Sequence, residues 1–81
     1  MNDQQIHEAI EGLVAEEHRL WEDQARGGGH SDYDRQRLEV VRVTLDRYWD
    51  LLRQRRAYDE HHLDPDAARA RDASTVENYR Q

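Results

Sequence analysis

The chain contains no cysteine, which excludes disulfides and thiolate metal sites and fits a reducing compartment. It contains no lysine either: all twelve basic residues are arginine. Codon usage in a GC-rich genome accounts for that bias better than a need for a guanidinium fork at every site. No apolar run approaches the ~20 residues that span a bilayer, so no membrane segment is expected. Met1-Asn2-Asp3-Gln4-Gln5 has neither a basic patch nor an apolar stretch, so no signal peptide is read there and the expected compartment is the cytoplasm. A basic surplus is also missing. The net charge is −6, which is not the footprint of a nucleic-acid binder. With 81 residues there is room for one small domain whose core alone is marginal.

What is present is helical rhythm. Ile6, Ile10, Leu13, Glu17, Leu20 and Gln24 recur at spacings of four and three, the pattern of one buried helix face. Asn2 as N-cap, Gln5 at N3 and a Met1–Ile6 staple open a helix over 3–26, and Gly27 supplies its left-handed cap. Residues 27–30 form a glycine-rich link. Lacking the following Lys and Ser or Thr, they are no phosphate loop. Ser31 caps a second helix over 31–59, with Asp32 and Asp34 complementing its dipole. Leu38, Val41, Leu45, Tyr48, Trp49 and Leu52 form its main apolar sector. Val40, Val43 and Leu51 point elsewhere and make a candidate dimer or interaction face. The hairpin thus occupies 1–60 and a tail 61–81. In the tail, Asp64-Pro65 starts a short helix reaching about Ala70, and Ser74-Thr75-Val76-Glu77 opens a final turn.

The fold class expected is all-α: an antiparallel helical hairpin with a short, partly helical tail. Folding about Gly28 sets Leu20 against Leu38, Leu13 against Leu45 and Ile6 against Leu52. Glu17 then falls level with Val41 and Arg42, so a structural Glu17–Arg42 ion pair is expected. Such a pair serves register more than stability. A two-helix layer leaves its core open on one side. Either a second copy closes it into a four-helix bundle, or the tail does.

Chemistry is sparse. The histidines are His7, His18, His30, His61 and His62, and no glutamate has a histidine three positions later as di-iron bundles require. They read as solvated surface residues. Glu17 is the only carboxylate with a reason to titrate abnormally, and it has a structural explanation. No catalytic residue, cofactor or metal ligand is assigned. Arg53, Arg55 and Arg56 form the single basic cluster, flanked by Trp49 and Tyr58. Helix-end electrostatics explains it first, and an acidic partner or RNA second.

Several stretches occur together: Leu13-Val14-Ala15-Glu16-Glu17-His18, Leu20-Trp21-Glu22, Trp49-Asp50-Leu51-Leu52-Arg53-Gln54-Arg55-Arg56-Ala57, Asp64-Pro65 and Thr75-Val76-Glu77 followed by Tyr79. In these the chain resembles the small actinobacterial proteins of domain-of-unknown-function family 2630. The resemblance covers nearly the whole chain. It implies a short, cytoplasmic, mostly helical protein and brings no activity. The expectation is therefore a non-enzymatic interaction or adaptor module acting as a homodimer. The alternative is an RNA- or transcription-machinery-associated factor using the Arg53–Arg56 cluster.

Overall fold

A computed structural model of the chain describes residues 1–23 and 32–78. Helix α1 runs Asp3–Asp23 and helix α2 runs Asp32–Glu60. A 3-10 turn, Pro65–Ala67, and helix α3, Ala73–Asn78, complete the order. The expected link at 27–30, its caps Gly27 and Ser31, positions 24–26 of the first helix, and Tyr79 lie outside the described residues.

The start of α1 follows from its sequence. The Asn2 N–H donates to Gln5 Oε1 at 2.8 Å, and the Gln5 N–H donates back to Asn2 Oδ1 at 2.8 Å. This reciprocal box satisfies two amides that the helix itself cannot. Ile6, one turn in, is then delivered fully buried into the seam.

The end of α2 decides the rest of the topology. His62 adopts φ 59°, the left-handed region where glycine is usual. The Leu63 N–H donates to Tyr58 O at 2.7 Å and the His62 N–H to Asp59 O at 3.0 Å. These two bonds define a Schellman cap, which reverses the chain. A non-glycine residue there costs about 1–2 kcal/mol. Replacing His62 with glycine should therefore raise stability by up to ~1 kcal/mol, after the greater freedom of the unfolded glycine is subtracted. Urea denaturation of His62→Gly beside the parent chain measures this.

Beyond the cap, Asp64 accepts from the Asp66 N–H at 3.0 Å and Pro65 occupies the first position of the 3-10 turn. This start is where the sequence placed it. The segment stops at Ala67 rather than near Ala70, because Ala68 is already extended. Helix α3 begins two residues earlier than its Ser-Thr-Val-Glu pattern implied. Asp72, not Ser74, is the cap: its Oδ1 accepts from the Thr75 N–H at 2.8 Å and the Ser74 hydroxyl at 3.0 Å. A carboxylate satisfies both donors and suits the positive helix end, which a hydroxyl does less well.

The core is one cluster. Ile6 and Ile10 of α1 pack with Val41, Leu45 and Leu51 of α2, and Leu13, Tyr48, Leu52 and Ala68 border it. It sits toward the open end of the hairpin. Leu20 and Leu38, nearer the link, are only half-buried. The tail returns along the opposite side of α2 from α1. Asp50, about two and a half turns from Val41, therefore faces the tail. The result is a slab with extents of 51 × 27 × 15 Å. A helix with its side chains is about 10–12 Å across, so the slab is little more than one helix thick. Its radius of gyration, 15.2 Å, exceeds the ~12 Å of a compact chain of this length.

Candidate interaction face

The tail is held almost entirely by polar contacts. Arg55, only 9% exposed, is the hub. Its Nε donates to Asp3 Oδ1 at 2.5 Å, and its Nη1 donates to Asp66 Oδ1 at 2.9 Å and to Pro65 O at 3.2 Å. One guanidinium thus ties the start of α1 and the 3-10 turn to α2. Asp3 first and Asp66 second push its pKa further up, so it stays charged. Further along, Gln54 Nε2 donates to Asp50 Oδ2 at 2.9 Å and to Arg69 O at 2.8 Å. Arg47 Nε donates to Arg71 O at 2.9 Å, and Arg71 pairs with Asp50 at 3.7 Å. Val76 is the apolar anchor at the far end.

Arg42 also belongs to this clasp. Its guanidinium meets Glu39 at 2.7 Å, Glu77 at 3.1 Å and Asp46 at 3.3 Å. The expected Glu17–Arg42 pair does not form. Glu39 and Asp46 stand one turn to either side of Arg42 on its own helix, and Glu77 arrives with the tail, so three carboxylates hold the group on the tail side. Glu17 is half-buried and makes no ion pair among the described residues. It keeps part of its surface in water, and a partly hydrated carboxylate needs no counter-ion. The ion pair joining α1 to α2 near the link is instead bidentate Arg37–Glu16, from Nε to Oε2 and from Nη2 to Oε1. The Arg37 hydrogen bond holds the Glu16 carboxyl below its usual range.

The Val40, Val43 and Leu51 face is corrected in the same way. Leu51 is buried in the core, Val43 is half-buried, and only Val40 stays open, at 50%. Leu51 lines a small cleft with Met1, Arg47, Tyr48 and Ala70, so the chain's own ends occupy that side. Of the three arginines proposed to meet a partner, Arg55 is committed internally. Arg53 and Arg56 are exposed and carry no ion pair among the described residues.

The tail leaves one broad face of the slab uncovered. His7, Val14 and Trp21 repeat every seven residues along the edge of α1, and Trp49, Arg53 and Arg56 follow at four and three along α2. A cleft of about 220 Å³ lined by Asp3, His7, Trp49, Leu52, Arg53 and Arg56 joins the two rows. Trp49 is 46% and Trp21 54% exposed, and Val14 is exposed on α1. Sequence reading placed Trp49 in the core sector. It missed that Trp49 sits at the sector's edge, where its neighbours leave the indole nearly half exposed. No helix among the described residues is long and apolar enough to cross a membrane.

A family model described as "Protein of unknown function (DUF2630)" matches residues 2–81. The chain belongs to this family. Uncharacterised proteins from Mycobacterium bovis and Mycobacterium tuberculosis are 43% identical to it over 70 residues, which covers 86% of this chain and 80% of theirs. The Trp49–Ala57 run that suggested the family is thus where the tail clasp and the open face meet, since it holds Asp50, Gln54 and Arg55 as well as Trp49, Arg53 and Arg56. No solved structure matches the chain.

Acid should loosen the tail first. The Thr75 amide and the Ser74 hydroxyl hold Asp72 below the usual carboxylate range, and Arg37 does the same for Glu16. A depressed carboxyl contributes stability that is complete above its unfolded value near pH 4 and lost as pH falls through its folded value. Near-neutral stability should therefore hold down to about pH 5 and decline below pH 4. Asp72→Ala should remove the part of that decline that reports on α3, as read from tail-amide hydrogen exchange against pH.

Proposed function

We propose that this chain is a non-enzymatic protein-interaction module that acts as a homodimer. The observation that carries the reading is the uncovered face around Trp49. An indole nearly half exposed, with Val14 also exposed, is apolar surface that a monomer gains by hiding. The thin slab supports the same reading, because stable domains bury their apolar faces between at least two layers. A reaction would need a pocket with convergent, perturbed acid–base groups. The shifted carboxyls, Glu16, Glu39 and Asp72, each owe their shift to an ion pair or a helix cap. Sedimentation equilibrium over micromolar concentrations is the test. A dimer is expected, and a stably folded monomer throughout would reject the reading.

One observation favours a second reading. Arg53 and Arg56 stand free beside an exposed indole, the combination on which a single-stranded base and its phosphate can dock. Affinity purification from the native host with and without nuclease separates the two. Nuclease-resistant capture favours a protein partner, and nuclease-sensitive capture favours RNA.

A further inference from the structure

We infer that two copies pair through the open face with α1 of each lying on α2 of the other, related by a two-fold axis parallel to the helices. The inference rests on the dimer reading above and specifies its geometry. Charge selects it. Helix α1 carries seven carboxylates and a single arginine, Arg19, so it is strongly acidic. Helix α2 is balanced, with seven of each sign. Two of its exposed guanidiniums, Arg53 and Arg56, line the cleft on the open face.

A two-fold face-to-face stack of two hairpins has two simple forms. One lays α1 on α1′ and α2 on α2′, which brings two strongly acidic helices together along their length. Like charges in close register oppose association. The other lays each acidic α1 over the partner's α2, so Arg53 and Arg56 of one copy approach the acidic first helix of the next. The same stack lays the Trp49 indole against the partner's α1 in the region of His7. Each copy contributes two antiparallel helices, which gives a four-helix bundle whose tails, clasped to the far side of α2, stay outside.

Because the chain has no cysteine, single thiols report the geometry cleanly. His7→Cys and Arg53→Cys chains are prepared separately, mixed, and treated with a short bismaleimide. Both positions are exposed, so neither change should disturb the fold. The expected result is a mixed covalent dimer joining position 7 of one chain to position 53 of the other. A sample that sediments as a dimer yet gives no mixed product overturns the geometry while leaving self-association standing. A sample that is monomeric throughout overturns both. Charge is tested separately with Arg53→Glu/Arg56→Glu, which should weaken dimerisation at least tenfold at low salt. Unchanged dimerisation would overturn the electrostatic selection.

Discussion

Ile6→Ala should cost the chain a large part of its stability. Ile6 is fully buried in the single cluster that joins the two helices. Truncating a buried isoleucine costs about 2–5 kcal/mol, through lost transfer energy and the cavity left behind. A chain of this size holds only about 4–12 kcal/mol in total. The seam is one cluster, with no second core to share the loss. The slab is thin enough that its neighbours are also near solvent, so some collapse into the cavity is expected and the figure should fall near 3 kcal/mol. Urea denaturation followed by far-UV dichroism measures it. Val14→Ala on the open face provides the contrast, with a change within about 0.5 kcal/mol for the isolated monomer. If Ile6→Ala were as mild as that, the seam would not be the core of this fold.

Arg55→Ala should release the tail while α1 and α2 stay paired. The substitution deletes three hydrogen bonds at once and leaves Asp3 and Asp66 without their shared cation. Removing one member of a buried charge network costs about 3–5 kcal/mol. Here both carboxylates are largely exposed and can rehydrate, so about 2–3 kcal/mol is expected. The loss is local, because Gln54, Arg47 and Arg42 still touch the tail at other points. Limited trypsin digestion should therefore cleave after Arg69 and Arg71 much faster than in the parent chain, while helix content falls little. Arg55→Met, which keeps the packed stem without the charge, should lie between the two. Equal protection of the tail in Arg55→Ala would show that the clasp is not centred on this residue.

These two positions differ in how visible they were. Ile6, Ile10, Val41 and Leu45 could be read from spacing, because a helix repeats every 3.6 residues and a buried face writes that period into the chain. The caps at Asn2 and Asp64 were equally legible, since capping is a contact between residues two or three apart. Arg55 looked like part of a basic surface run. Nothing local distinguishes it from Arg53 and Arg56, and only the arrival of Asp3 and Asp66 from either end of the chain makes it internal. Glu17 was the reverse case. It interrupts an apolar stripe, so a buried partner was inferred. Glu17 stays half-exposed to water, and the partner assigned to it is held elsewhere by the tail.

By itself, then, the sequence determined the two long helices, their antiparallel seam, the cap residues Asn2 and Asp64, and membership of a family of unknown function. Periodicity and capping carry that information because both arise from neighbours along one helix. Only the tertiary structure decided which side of α2 the tail covers, that Arg55 and Arg42 are clasps, and that Trp49 lies on the open face. Ion pairs between distant segments leave no period in the chain. A residue at the edge of an apolar sector is buried or exposed according to what packs beside it, and that is settled only when the left-handed turn at His62 sends the tail back along α2.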